Sequence, residues 1–345
     1  MQNRIVTKGD LLNEKGALST PGYATFEAWD YERGDIKAPS LRIKEWDYYY
    51  IGNEHFGVAL TIADNSYMGL ISASLLDFDE NFQETKSKIL PLTFGNLALP
   101  PSADVGETSY KSKKVDMSFV VTEDERRIRC HYHDFHEGQP LILDVKLTDF
   151  HGDRMCIATP FDKKGYFYYN QKINTMHAEG YVQMGEKEYK LGASPLDMGL
   201  LDWGRGVWTY KNTWYWSSLN TVLADGKKFG FNLGYGFGNT SAATENMLFV
   251  EGVADKLEEV FFDIPKSENG EYDYLSPWKV TSPDGRVDLT FTPMLNRSAK
   301  MKVLMLASDQ NQVFGKFSGD ILLSSGEKVT LEDAVGFAER VFNKW

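Results

Sequence analysis

The sequence predicts an all-β protein, and three observations carry that prediction. Apolar and polar residues alternate with a two-residue period along most of the chain, helical periodicity is nearly absent, and turn signals separate the strand-like runs at regular intervals. The first half offers runs at Trp46–Ile51, Gly57–Ala63, Met68–Leu76, Val115–Val121, Arg126–Phe135, Leu141–Leu147 and Met155–Pro160. Each is short and rich in β-branched and aromatic residues, with breaks such as Asp64-Asn65 and Glu137-Gly138 between them. The second half continues with Gly165–Asn170, Ala178–Met184, Val207–Ser218, Lys228–Tyr235, Asn246–Glu251, Glu258–Ile264, Trp278–Ser282, Val287–Pro293, Lys302–Leu306 and Gln312–Leu323. Ala224-Asp225-Gly226, Pro283-Asp284-Gly285 and Ser325-Gly326-Glu327 read as hairpin turns.

Few helical segments are expected. Thr330 is placed to cap a turn over Leu331–Ala334, and a second turn is expected at Asp10–Glu14. Many short antiparallel strands dispose of their edges in a sandwich or a closed barrel, and an aromatic content of 14% favours a barrel with a filled or ligand-holding interior. A boundary near Gly165–Gly180 divides the strands evenly, giving expected halves at residues 1–175 and 176–345. No repeat of solenoid or propeller length recurs.

Composition excludes several function classes. With 37 basic and 49 acidic residues the net charge is −12, so nucleic acid and anionic membrane surfaces are repelled, and the balance favours a neutral or cationic small molecule as partner, or no ligand. The N-terminus lacks the apolar core of a secretory signal and no run reaches the roughly 18 apolar residues of a membrane helix; no integral membrane segment is expected, and a cytoplasmic location is. Cys130 and Cys156 have neither metal-finger spacing nor disulfide-scaffold density and read as reduced thiols. His131 and His133 share a strand face with His136 just beyond, but no further ligand follows at a diagnostic offset, so no metal is expected. Gly234-Tyr-Gly-Phe-Gly238 lies in a strand pattern with no helix after it; it marks a close approach of backbone or ligand, not a phosphate loop.

The chemistry concentrates in Leu201–Ser217, where four tryptophans and two tyrosines accompany Asp202 and Arg205. Trp208, Tyr210, Trp214 and Trp216 share one parity and form a candidate aromatic strip, while Asp202 and Arg205 flank Gly204 at a spacing suited to a salt-bridged bend. A packed barrel core and a structural corner are the plainer readings of the same residues. Glu245 and Glu339 are the other buried-type acids, with polar neighbours Asn246 and Arg340. If two of Asp202, Glu245 and Glu339 meet in one cavity, a desolvated carboxyl protonates a double bond or leaving group while the other stabilises a cation or activates water.

Four stretches add a resemblance over essentially the whole chain: Asp202–Tyr210 (DWGRGVWTY), Asn232–Ser241 (NLGYGFGNTS) with Ala243–Asn246 (ATEN), Gln312–Gly319 (QVFGKFSG) and Gly336–Trp345 (GFAERVFNKW). In this order they resemble the bacterial family named domain of unknown function 2804, related to the lipocalin-like, or calycin, group that includes hydroxyneurosporene synthase. The resemblance implies two consecutive lipocalin-like β-barrels with a ligand cavity in or between them, and it names no reaction.

The combined expectation is a small, partly hydrophobic ligand in a cavity of the C-terminal half. Asp202, Glu245 and Glu339 are the candidate catalytic acids; Arg205, Trp208, Tyr210, Trp214, Trp216, Asn232, Asn246 and Arg340 are the candidate binding set. Hydration, isomerisation or cyclisation without a cofactor is the expected chemistry. A carbohydrate-active enzyme or glycan binder would use the same stacked tryptophans and paired acids, and a non-catalytic carrier would use the same cavity.

Overall fold

The computed structural model describes residues 2–303 and 306–344. Leu304 and Met305 of the expected strand Lys302–Leu306, and Trp345 of the last family stretch, lie outside the described residues. Alternation in the sequence becomes two large, curled antiparallel sheets. In the first, strands run in the order Phe82–Pro91, Met68–Asp77, Phe56–Asp64, Ile43–Gly52, Met198–Val207, Phe167–Met184, Gln139–Thr148, Arg126–His136, Val115–Val121 and Gly106–Lys111. Met155–Pro160 and Lys187–Leu191 join along Phe167–Met184, and Gly22–Ala24 pairs with the former. The second sheet runs Val253–Lys256, Met247–Val250, Lys228–Tyr235, Lys211–Val222, Lys328–Lys344, Leu306–Leu322, Val287–Val303, Trp278–Thr281 and Phe261–Asp263.

One topological plan serves both. In each sheet the first strand of a meander pairs with the last: Ile43–Gly52 lies beside Met198–Val207, and Lys211–Val222 beside Lys328–Lys344. Each sheet curls round its own apolar core. Tyr49, Phe119, Phe135, Phe167 and Trp203 help fill the first, and Phe229, Phe231, Trp278, Phe291 and Phe317 the second. Closing a meander in this way removes most exposed edges, which is the advantage of a barrel for a chain of so many strands.

Two expectations are corrected. Leu331–Ala334 is not a helical turn but part of strand Lys328–Lys344, with Val329 and Leu331 buried and Thr330 and Glu332 exposed. The pairing shifts register here and Asp333 takes φ 52°, so the acidic pair that imitates a first helical turn is a β-bulge. At Asp10–Glu14 the chain pairs Gly9–Asp10 with Trp29–Asp30 and then turns on the Asn13 carboxamide, whose oxygen accepts the Lys15 and Ala17 N–H groups at 3.0 and 3.2 Å. Helix among the described residues is confined to 3-10 turns at Arg33–Asp35 and Ser40–Arg42. The expected boundary at 175/176 falls inside strand Phe167–Met184, and the chain passes from the first sheet to the second over residues 208–210.

The sheets meet through their convex faces. Strand Met198–Val207 is buried at every position, because Leu201, Trp203 and Val207 enter the first core while Leu200 packs with Trp216, Phe314 and Phe337 of the second sheet. A bulge at Asn174-Thr175 ties the same surfaces together. The Asn174 carboxamide donates to Ser218 Oγ at 2.8 Å and Asn220 Oδ1 at 2.9 Å across the junction. Gly204, on the convex face, lies under the Trp46 indole so closely that a β-carbon would fall within the ring. Gly204→Ala is therefore expected to lower the unfolding free energy by about 1–3 kcal/mol, measured by chemical denaturation, with the β signature of the circular dichroism spectrum retained.

Candidate functional site

Strand pairing assembles the site as two facing rows. Across the first sheet the register sets Lys172 opposite Asp202, Asp202 opposite Tyr48, Tyr48 opposite Thr61, Thr61 opposite Ser72 and Ser72 opposite Ser87. Across the second it sets Arg297 opposite Gln312, Gln312 opposite Glu339 and Glu339 opposite Trp216. Directly paired residues project to one side of a sheet, so each row is a line of side chains. The rows enclose a cavity of about 400 Å³ at the junction of the two sheets.

Charge is handled differently on the two walls. On the first, Lys172 Nζ lies 2.8 Å from Asp202 Oδ1, to which the Asn170 carboxamide also donates at 2.7 Å. The Lys172 ammonium sits 3.8 Å from the centre of the Trp216 ring, so one cation bridges an acid of the first sheet and an aromatic face of the second. On the second wall, no cation among the described residues stands at ion-pair distance from Glu339. Its Oε1 accepts from the Trp214 indole at 2.9 Å and its Oε2 from the Gln312 carboxamide at 3.0 Å. Gln312 Oε1 in turn accepts from the Tyr48 hydroxyl at 3.3 Å. Burial pushes the Glu339 carboxyl up to about 7; the Trp214 hydrogen bond and the charges of Arg297 and Lys172 oppose the rise, and Asp202 adds to it.

Glu245 reaches the same cavity from the segment before Met247–Val250. Burial raises its pKa as well. Gly234 makes this possible, since a β-carbon there would lie 2.6 Å from the Glu245 carboxyl carbon. The glycine-rich run thus marks a close approach, as its strand setting implies. At this end the wall is aromatic: Trp46 stacks on Tyr168 with centroids 6.1 Å apart, and Trp208 meets Trp46, Trp214 and Phe237 edge to face at 5.1, 5.7 and 4.7 Å.

Six candidate residues line this cavity: Asp202, Glu245, Glu339, Trp208, Trp214 and Trp216. Asn232 stands behind them, accepting the Trp216 indole N–H at 2.6 Å and donating to the Glu245 carbonyl at 2.7 Å. The others are elsewhere. Arg205 has the opposite parity to Asp202 and enters the first core, where it pairs with Asp47 at 3.0 Å and donates to the carbonyls of Trp46, Gly204 and Pro100. The anticipated Asp202–Arg205 bridge does not form, because the segment is a flat strand and not a bend. Tyr210 falls in the link between the sheets, which breaks the parity of the aromatic strip, and it is 38% exposed. Asn246 holds backbone, accepting Gly234 N–H and donating to Glu258 O at 2.7 and 2.8 Å. Arg340 projects to the other side of its strand, against Tyr272 and Tyr274.

The cavity that these residues line draws on both sheets, since Tyr48, Lys172 and Asp202 belong to the first. Lys172, Arg297, Gln312, Trp46, Tyr48 and Tyr168 escaped the sequence reading. Only Trp46-Asp-Tyr-Tyr-Tyr50 carries a local signal, and the register that aligns the rest is long-range. Elsewhere, His131 and His133 stack with centroids 3.9 Å apart and His136 turns to Glu84 at 2.8 Å, so the three imidazoles do not converge. Cys130 and Cys156 are free and buried, which pushes both thiols up to about 12.

Fold and site together define a lipocalin-like β-barrel protein whose cavity lies at the junction of two barrel sheets. The chain belongs to the family described as Domain of unknown function (DUF2804), whose model matches residues 2–345. No curated protein matches the sequence significantly. Among solved structures it is similar to a protein assigned as AttH from Nitrosomonas europaea, with 14% identity and TM-score 0.54 over 90% of this chain and 95% of the other. It is similar to CghA with Sch210972, with 9% identity and TM-score 0.54 over 97% of each chain. Kievitone hydratase from Nectria haematococca aligns with 13% identity and TM-score 0.48 over 98% of each. Likeness at these identities is a likeness of fold.

Two expectations follow. Arg205→Gln leaves the buried Asp47 without its cation and is expected to cost about 3–5 kcal/mol of stability in a denaturant titration while leaving the cavity walls in place. Glu339 binds its proton more tightly folded than unfolded, so its contribution is fully present below pH 4.5 and lost as pH rises to about 7. Across that window wild type should lose on the order of 3 kcal/mol relative to Glu339→Gln, read as the difference between their stability–pH curves.

Proposed function

We propose that the cavity binds a small, partly hydrophobic molecule and that Glu339 delivers a proton to a carbon–carbon double bond of that molecule. The observation that carries this reading is the unequal pair of acids: Asp202 is held by Lys172 at 2.8 Å, whereas the buried Glu339, raised to about 7, faces it without a cation of its own. A carboxyl that keeps its proton near neutral pH is matched to general-acid work.

Protonation of the alkene leaves a carbocation, and the ring of Trp214, which lines the cavity beside Glu339, is placed to stabilise it. Three outcomes conserve atoms and charge. Water adds to the cation and gives up a proton to Asp202, a neighbouring carbon returns a proton to the Glu339 carboxylate, or a second double bond attacks to close a ring and the new cation then loses a proton to that carboxylate. These correspond to hydration, isomerisation and cyclisation, each without an external oxidant or reductant. The crystallisation of CghA with Sch210972 accords with ligand capture on this fold. A glycan is less well matched, because its hydroxyls would lie against the apolar rings of Trp46, Tyr168, Trp208 and Phe237.

All three outcomes begin with a proton from the protein, so one experiment covers them. Prenylated aromatics and linear polyenes are incubated with the protein in deuterium oxide and analysed by mass spectrometry. At least one compound should gain carbon-bound deuterium, and Glu339→Gln should lower the rate by a factor of about 100 or more with binding retained. Binding without any deuterium incorporation would replace the enzyme with a carrier.

A further inference from the structure

Arg297 is the one cation of the two facing rows whose charge is not matched. Lys172 is committed to Asp202 and Trp216. Arg297, half-buried in strand Val287–Val303, makes one hydrogen bond among the described residues, from Nη1 to the Ser74 hydroxyl at 2.9 Å, and lies 6.0 Å from the Tyr48 ring centre. No carboxylate stands within ion-pair distance of it among the described residues. A guanidinium has five N–H donors in a planar fork, so most of this one is open to the cavity it lines.

The surroundings limit what fills that fork. Beside Arg297 the wall carries the hydroxyls of Thr61, Ser72, Thr85 and Ser87 and the residues Ser298 and Lys300 at the exposed rim. At the other end stand Trp46, Tyr168, Trp208 and Phe237. One end therefore recognises oxygen and the other an apolar, flat body. A single free guanidinium balances one negative charge and matches a planar carboxylate in bidentate geometry, whereas a dianionic phosphate would carry a second charge that no further free cation of the two rows balances.

We propose that Arg297 anchors the carboxylate of an organic acid whose unsaturated or aromatic body extends along the cavity towards Trp46 and Trp208. The proposal rests on the reading of the cavity as a ligand site, but not on Glu339 as the proton donor. It runs against the neutral or cationic ligand that the overall charge favours. Net charge acts through solvent and fades over about 8 Å at physiological salt, while the fork acts at contact distance in a partly dry site. Carboxylate binding would also neutralise the Arg297 charge that opposes protonation of Glu339, so the same contact keeps the acid loaded.

Parinaric acid, a fluorescent conjugated polyene fatty acid, and its methyl ester test this directly in equilibrium titrations of the full chain. Wild type should bind the acid at least about tenfold more tightly than the ester, since a charge-assisted bidentate contact is involved. Arg297→Gln should bring the two within about threefold by weakening the acid alone, and Arg297→Lys should restore part of the preference. Circular dichroism of both variants checks that the fold is kept. Equal binding of acid and ester to wild type, or a preference that survives Arg297→Gln, overturns the proposal. Failure of both probes to bind removes the cavity reading and the proposal together, whereas acid-selective binding without deuterium transfer leaves this proposal standing and retires only the enzymatic one.

Discussion

Everything in this molecule depends on strands that bury both of their faces. Strand Met198–Val207 has no exposed residue, because one face belongs to the first barrel core and the other to the junction with the second sheet. A period of two then forces neighbouring residues into different environments. Trp203 and Arg205 enter the core, while Asp202 and Gly204 face the second sheet. Gly204 leaves space for the Trp46 indole, and Asp202 becomes the acid of the cavity wall. A one-residue slip would exchange these roles and bury Asp202 in the core without its lysine, so ion pairing and packing specify the same register.

The junction also explains why charged residues are tolerated inside. Two convex faces rich in aromatic side chains cannot mesh everywhere, and where they separate, the polar rows of the two sheets face each other. Lys172 is the hinge of the arrangement: its ammonium satisfies Asp202 on its own sheet and lies on the Trp216 ring of the other. With that cation committed, Glu339 has Trp214 and Gln312 as direct partners among the described residues, and burial raises its proton affinity. Neutral acid and ion-paired acid therefore arise from where the cations stand: Lys172 reaches Asp202, whereas Arg297, on the wall of Glu339, acts on it only from beyond ion-pair distance.

Local signals were legible in the sequence and long-range ones were not. Alternation and turn residues identified most strands, and the density of tryptophan around Trp208–Trp216 pointed to one wall of the cavity. Parity failed where the chain leaves one sheet for the next: Tyr210 shares its parity with Trp208 and Trp214 but sits in the link, so it turns outward. Arg205 read as a partner of Asp202 because their spacing suits a bend, yet a flat strand puts them on opposite faces. At Leu331–Ala334 a bulge imitated a capped helix, since an acidic pair after a threonine is common to both. Lys172, Gln312 and Arg297 were hidden for a different reason. Each is ordinary in its own segment and acquires meaning only from pairing with strands far away in sequence.

A crystal structure with a bound polyene acid decides between the junction of the barrels and the interior of either as the place of binding. Ligand density is expected between the two rows, with its head at Arg297 and its body in contact with the walls carrying Asp202 and Glu339. Density among Phe119, Phe135 and Trp203 in the first barrel, or among Phe231, Phe291 and Phe317 in the second, would contradict it.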